Sequence, residues 1–242
     1  MAISNKSTGT TVTLPGVSVQ FVGVGLVGFG ITGGLAWALI ADLPAVMAGL
    51  ALYAVAMAVA LAGLAASFPH RVIGLCNVAT ILRLTLVSVL CAALVASHPP
   101  DWAMFWVALL AFALDGVDGW LARREGRASA FGARFDMEVD SLLALLLALL
   151  AWQSGSVGAY VIILGLPRYI FWAAQVPFPW LNGALPERFS RKVVCVVQIA
   201  ALLLALLPPV APLLASLCVG LAAVALVWSF WLDVRVLREA RV

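Results

Sequence analysis

The chain has 242 residues, of which 64% are hydrophobic and only 10% are charged, and its mean hydropathy is +1.12. Soluble domains carry roughly 25% charged residues, so this composition excludes a water-soluble protein and predicts an integral membrane protein. The 14 Lys and Arg residues against 11 Asp and Glu residues leave a net charge of +3, which is too small to indicate a nucleic-acid partner.

Eight apolar runs follow one another along the chain, separated by Pro, Gly and polar residues. A helix needs roughly 20 apolar residues to cross a bilayer. We therefore predict an all-α, polytopic membrane bundle with about eight transmembrane helices. These spans one to eight have the boundaries 17–41, 44–66, 72–97, 102–122, 133–152, 156–175, 192–207 and 210–232. The polar segment before span one lacks a cleavage-site pattern, so we expect span one to be retained.

The basic residues predict the orientation of the spans. Twelve of the fourteen lie in alternate connections or at the two ends of the chain, and the remaining connections contain none. Because Lys and Arg favour cytoplasmic loops, we expect both termini on the cytoplasmic side of the cytoplasmic (inner) membrane. The twelve are Lys6, Arg71, Arg123, Arg124, Arg127, Arg134, Arg188, Arg191, Lys192, Arg235, Arg238 and Arg241.

Four aspartates flank the connection between spans four and five. Asp115 and Asp118 are three residues apart, and Asp136 and Asp140 are four residues apart, so each pair shares a helix face. A short turn between the spans would bring the two faces together at the inner edge of the membrane. Glu125 lies off these faces and is expected to be an ordinary surface charge, as is Glu138.

Converging carboxylates repel one another, and unpaired charge beside the bilayer is costly and marks a functional site by default. Hard oxygen ligands suit Mg²⁺, Mn²⁺ or Ca²⁺, and two such ions can form a clamp for displacement at phosphorus. The alternative is a solvated acidic turn, but such a turn has no reason to keep helical spacing on both flanks.

The spacing Asp115-x2-Asp118-Gly119-x2-Ala122-Arg123-x8-Gly132-x3-Asp136-x3-Asp140 resembles the signature of the CDP-alcohol phosphotransferase family, with eight fixed positions filled. The resemblance implies a six-helix core over 72–232, preceded by two additional helices over 17–71. A short polar cytoplasmic N-terminus, 1–16, and a basic cytoplasmic C-terminal tail, 233–242, complete the predicted organisation.

The same resemblance implies transfer of a substituted phosphate from a CDP-linked donor to an alcohol, with release of CMP. It implies that two divalent metals, Mg²⁺ or Mn²⁺, are held by the four aspartates, and that Asp140 also accepts the proton of the acceptor hydroxyl. The positions implied to bind the nucleotide and its diphosphate are Gly119, Ala122, Arg123 and Gly132.

Arg83 falls near the middle of span three, where a lone charge is expensive. It should therefore face an acid or a substrate anion inside the bundle. Asn77, Thr80 and Arg83 follow one another at three-residue intervals, which places them on one side of the helix and predicts a polar cavity. A structural ion pair is the alternative role for Arg83.

A second basic group can form a pocket for an acceptor that carries its own phosphate, because Arg pairs bidentately with phosphate. Its members are Arg134, Arg168, Arg191 and Lys192. Ser190-Arg191-Lys192 followed by Gln198 resembles a helix start in phosphatidylglycerophosphate synthases of the family. The alternative is contact with anionic membrane lipids.

These inferences predict an enzyme of phospholipid biosynthesis that transfers a phosphatidyl group from CDP-diacylglycerol to a phosphorylated polyol such as glycerol 3-phosphate or inositol phosphate. One alternative is a CDP-choline or CDP-ethanolamine phosphotransferase acting on diacylglycerol. Another, from a different class, is an ion or proton transporter that uses intramembrane acids. Glycines in span one permit a homodimer contact.

Overall fold

The computed structural model describes residues 15–68, 70, 72–99, 101–125, 129–183, 188–208 and 210–239, and only the backbone of 15, 67 and 117–125. Within these ranges the secondary structure is helical, with no strands. The α-helices are α1 (Pro15–Ile40), α2 (Leu43–Ser67), α3 (Leu75–Val95), α4 (Trp102–Glu125), α5 (Ala130–Gln153), α6 (Ile162–Gly165), α7 (Pro167–Gln175), α8 (Phe189–Leu206) and α9 (Pro212–Glu239).

Five of the described helices are long and apolar enough to cross a membrane. They are α1, α2, α3, α8 and α9. In α4 the side chains are described only as far as Gly116, and the apolar stretch Trp102–Gly116 falls within that part. The predicted all-α, polytopic membrane bundle is thus confirmed, while membrane crossing by α4, by α5 and by span six stays a prediction.

Helix α3 is the centre of the bundle and packs against α1, α2, α4 and α5. Two thirds (67%) of the most apolar 18-residue stretch of α3 is buried inside the protein. The approach of α2 is close at Gly49, where an added Cβ would lie 2.6 Å from the carbonyl oxygen of Ser88. Glycine at this position therefore lets α2 pack tightly onto the helix that carries Arg83.

Some span-one glycines serve packing within the chain. The Tyr53 hydroxyl donates a hydrogen bond of 2.9 Å to the carbonyl oxygen of Gly25 and occupies the space that a Cβ on Gly28 would need. Gly23 and Gly30 have no such neighbour among the described residues. Close packing between α1 and α2 thus accounts for part of this glycine pattern.

Span six is a broken helix rather than one continuous segment. A 3₁₀ turn, Ala159–Val161, leads into the short α6, and α7 starts anew at Pro167. Proline lacks an N–H and cannot continue the hydrogen-bond ladder. The buried Gln198 side chain of α8 donates a hydrogen bond to the carbonyl oxygen of Leu164 beside this break, so the interruption is supported by packing against α8.

Helix α9 continues past the predicted end of span eight at residue 232. It includes the predicted C-terminal tail as far as Glu239, where the exposed side chains of Arg235 and Glu239 form an i,i+4 ion pair of 2.8 Å. Charged pairs at this spacing support a helix beyond the apolar region. Asp233, on the same extension, is only 5% exposed.

The start of α4 is capped by Asp101, which lies in the connection after α3. Its carboxylate accepts a hydrogen bond of 2.8 Å from the Met104 backbone N–H and lies 3.1 Å from His98 Nε2. Partial burial favours a higher pKa for Asp101, but these hydrogen bonds outweigh burial and hold the pKa below its ordinary value. The carboxylate is therefore stabilised in its ionised form.

Replacing Asp101 with Ala should lower the free energy of unfolding by about 1 kcal/mol at neutral pH, the usual cost of losing an N-cap. Because the folded-state pKa is depressed, this contribution is present above the unfolded pKa, about 3.9, and is lost as pH falls through the folded pKa. Thermal unfolding of both proteins in detergent between pH 7 and pH 3 measures the effect. A stability difference that grows toward pH 3 would contradict it.

Candidate metal centre

Three of the four predicted aspartates converge in the folded chain. One carboxylate oxygen from each of Asp115, Asp136 and Asp140 lies within 4.8 Å of the other two. Asp115 projects from α4, and the other two project from adjacent turns of one face of α5. We call these residues the aspartate triad. Their side chains are between 33% and 46% exposed, so the cluster is partly open to its surroundings.

Arg83 of α3 lies against the aspartate triad. Its Nη1 is 3.1 Å from Asp115 Oδ1, and its guanidinium also forms ion pairs with Asp136 and Asp140. The Arg83 side chain is completely buried, and its Nε donates a hydrogen bond of 3.2 Å to the Ala111 carbonyl oxygen. The buried arginine predicted to face an acid or an anion therefore faces three acids.

The first turn of α5 positions Gly132 and Asp136. Ser129 is the N-cap, and its hydroxyl accepts a hydrogen bond of 3.0 Å from the Gly132 N–H. An added Cβ on Gly132 would lie 3.1 Å from Asn77 Oδ1. The small residue at this point of the signature thus allows α3 and α5 to approach closely, one turn from the aspartate triad.

Two polar side chains on α3 lie on the side of the helix that also carries Arg83. Asn77 is 2% exposed and Thr80 is 3% exposed. The Thr80 hydroxyl donates a hydrogen bond of 3.0 Å to the Cys76 carbonyl oxygen of its own helix. Both side chains are therefore buried on the side of α3 that carries Arg83, while the polar cavity predicted there stays a prediction.

Part of the signature lies where the structure describes only the backbone. Asp118, Gly119, Ala122 and Arg123 belong to the final turns of α4, and their side chains fall outside the described part of the chain. Their predicted roles as metal ligand or nucleotide contacts are therefore not addressed by the side-chain geometry.

A second charged cluster joins α8 to α9. Asp233 forms ion pairs with two arginines: its Oδ1 lies 3.3 Å from Arg188 Nη1, and its Oδ2 lies 3.1 Å from Arg191 Nε. Helix α8, which carries Arg191, packs against α4 and α5, the two helices of the aspartate triad. Because Arg191 forms an ion pair with the buried carboxylate of Asp233, its guanidinium is held in a defined orientation.

The remaining members of the predicted basic pocket lie on three different helices. Arg168 of α7 pairs with Glu138 of α5, so Glu138 has a specific partner although half of its side chain is exposed. Arg134 of α5 and Lys192 of α8 are both exposed. Arg191 differs from them in its ion pair with a buried acid, Asp233.

Asp233 is a site residue that the sequence pattern did not single out. It follows the apolar run of span eight and has no acidic neighbour at helical spacing, so no local pattern distinguishes it from a surface charge. One signal was available in the sequence. Asp233 follows span eight, and Arg188 and Arg191 precede span seven on the same predicted side of the membrane, so an ion pair between them was possible.

The donor chemistry of the aspartate triad fits a divalent cation. Carboxylate oxygens are hard ligands, and Mg²⁺ or Ca²⁺ binds them at roughly 2.0–2.6 Å, so two oxygens on one ion lie up to about 5 Å apart. The triad oxygens lie within 4.8 Å of one another. The described residues therefore form an aspartate cluster that could hold a metal ion.

A family model described as "CDP-alcohol phosphatidyltransferase" matches residues 73–232, about two thirds of the chain. The match includes the aspartate triad and Arg83. The chain belongs to the CDP-alcohol phosphatidyltransferase family. The resemblance identified from the eight signature positions is confirmed.

Two relatives in Mycobacterium tuberculosis (strain CDC 1551 / Oshkosh) illustrate what this family member is similar to. A "Probable phosphatidylglycerophosphate synthase" is 31% identical over 160 residues, 63% of this chain and 75% of the relative. A "Putative cardiolipin synthase" is 29% identical over 127 residues, 51% of this chain and 59% of the relative. No solved structure was found to match the chain.

Proposed function

We propose that this family member transfers a phosphatidyl group from CDP-diacylglycerol to an alcohol and releases CMP. The observation that carries the proposal is the convergence of the aspartate triad within the segment that matches the family model. The name of one relative, a "Probable phosphatidylglycerophosphate synthase", describes a product with a phosphatidyl group, which supports this donor over CDP-choline or CDP-ethanolamine.

The four aspartates would hold two divalent ions, Mg²⁺ or Mn²⁺. Such ions supply Lewis-acid stabilisation of charge on the phosphate oxygens. Gly132 keeps the turn before Asp136 free of a side chain, and together with Gly119, Ala122 and Arg123 it would contact the cytidine and the diphosphate. The protein itself then positions the donor between α3, α4 and α5.

Asp140 would act as the general base. Its carboxylate accepts the proton of the acceptor hydroxyl while the acceptor oxygen bonds to the lipid-linked phosphorus. The bond from that phosphorus to the CMP oxygen breaks, and CMP leaves with the electron pair. Asp140 is 46% exposed on its side chain, so it can return the proton to solvent afterwards.

The acceptor is proposed to be a phosphorylated polyol, with glycerol 3-phosphate as the first choice. Arg191, which Asp233 orients on a helix that packs against α4 and α5, would bind the acceptor's phosphate. Arg134, Arg168 and Lys192 would add positive potential, and Asn77 and Thr80 would line the polar cavity between α3 and the signature helices.

We further propose that the site and both termini face the cytoplasm, where a water-soluble nucleotide product can leave. This orientation rests on the distribution of basic residues. The acyl chains of the donor would remain among the lipid-facing helices. A homodimer stays a prediction that rests on the small residues of α1.

The purified protein in nanodiscs with Mg²⁺ should release CMP from CDP-diacylglycerol when glycerol 3-phosphate is added, and EDTA should stop the release. Parallel reactions contain inositol phosphate, phosphatidylglycerol, inositol, serine, or CDP-choline with diacylglycerol, and each lipid product is identified by mass spectrometry. A lipid product from CDP-choline and diacylglycerol, with none from CDP-diacylglycerol, would favour the CDP-choline or CDP-ethanolamine phosphotransferase. Proton or metal flux in liposomes without any CMP release would favour the transporter.

A further inference from the structure

Arg83 is the most deeply buried charge next to the proposed metal site. It lies about 12 Å along α3 from Leu75, at 1.5 Å per residue, and its side chain is fully inaccessible to solvent. A lone guanidinium at such a position is strongly unfavourable. The aspartate triad supplies its counter-charges, so Arg83 and the triad depend on each other in the absence of any ion.

The same three carboxylates serve both partners. Arg83 contacts the Oδ1 atom of each triad member, and carboxylate oxygens of these residues are the proposed ligands of a divalent ion. A divalent ion and the guanidinium therefore compete for one set of acceptors, and as two cations they also repel each other.

The Arg83 side chain is suited to hold separated acids in a fixed arrangement. Its planar group presents several N–H donors in a rigid fork, and the hydrogen bond from Nε to the Ala111 carbonyl orients that fork from the side of α4. One positive charge opposite three negative charges leaves the cluster anionic. The cluster is thus pre-formed but still attractive to further cations.

We propose that Arg83 is an internal counter-cation that holds the aspartate triad together before divalent ions bind and lowers the affinity for those ions. This inference rests on the proposed metal-dependent function. In the assembled enzyme Arg83 acts as a positioning residue, because it orients the three carboxylates and limits how tightly metal is held.

The test measures metal binding and stability without any nucleotide or lipid substrate. Wild type, Arg83→Met and Arg83→Lys are purified in Mg²⁺ and transferred to EDTA. Thermal unfolding is then recorded with and without Mn²⁺, and the Kd for Mn²⁺ is measured by electron paramagnetic resonance. Arg235→Met is the matched control, since it removes an equal charge from an exposed side chain that pairs with Glu239.

Arg83→Met should unfold at a lower temperature than wild type in EDTA, gain more stability from Mn²⁺, and bind Mn²⁺ about tenfold more tightly, because a repelling cation has been removed. Arg83→Lys keeps the charge but cannot contact three carboxylates through a rigid fork, so it should show the same changes to a smaller extent. Arg235→Met should match wild type in Mn²⁺ affinity.

Unchanged or weaker Mn²⁺ binding by Arg83→Met would overturn the inference. If Arg83→Met does not fold even with Mn²⁺ present, Arg83→Lys provides the test. An Arg83→Lys protein with the same Mn²⁺ affinity and the same stabilisation by Mn²⁺ as wild type would overturn the inference. Failure of wild type itself to bind Mn²⁺ would instead contradict the proposed metal-dependent function, so the two failures are distinguishable.

Discussion

Replacing Asp140 with Asn is expected to reduce CMP release by about 10³-fold, within the usual range for loss of a general base. The amide cannot accept a proton from the acceptor hydroxyl, and it also removes one negative ligand from the proposed metal site. The rate of CMP formation from CDP-diacylglycerol at saturating Mg²⁺, compared between the variant and wild type, measures the effect.

The variant should remain folded, because Arg83 retains its ion pairs with Asp115 and Asp136. Asp101→Asn provides a matched control. It makes the same chemical change at the opposite end of α4, about 21 Å from Asp115 along the helix axis, and Asn caps helices as well as Asp does. Equal rates for Asp140→Asn and Asp101→Asn would remove Asp140 from the mechanism.

Replacing Phe21 with Ala is expected to lower the free energy of unfolding by about 3–5 kcal/mol, the usual range for truncating a buried Phe. Phe21 of α1 is fully buried. Its ring centroid lies 6.0 Å from that of Phe131 and 6.1 Å from that of Phe135 on the first turns of α5. A cavity here would loosen the turns that carry Gly132 and Asp136.

The loss of stability is measured by thermal or denaturant unfolding in detergent, and the transferase rate is recorded at a temperature where both proteins stay folded. Phe29→Ala is the control on the same helix. Phe29 is 39% exposed, so its truncation should cost clearly less. A Phe21→Ala protein as stable as Phe29→Ala would show that the α1–α5 contact contributes little.

This aromatic contact also indicates a structural role for α1 and α2. Phe68, at the end of α2, packs edge-to-face on Phe131 at 5.7 Å, and α1 and α2 both pack on α3. They therefore brace the two helices that carry Arg83 and Asp136. Nothing in the amino-acid pattern of 17–71 predicted this role, because single Phe residues in apolar runs are ordinary lipid-facing or core residues.

The linear sequence determined the membrane-helical class and the family. Composition alone excluded a soluble protein, and the spacing of eight signature residues predicted the family that the comparison confirmed. These features can be predicted from the sequence because hydrophobicity and helical spacing are local properties of the chain. The break at Pro167 also has a local cause, since a missing N–H acts on its own helix.

Only the tertiary structure decided which charges meet. Charge cost predicted that Arg83 needs an anion, but the choice of the aspartate triad depends on how α3, α4 and α5 are rotated against one another. The pairing of Asp233 with Arg188 and Arg191, and of Arg168 with Glu138, depends in the same way on packing between distant segments. Helical spacing determines which residues share a face of one helix. Which other helix packs against that face depends on contacts throughout the bundle.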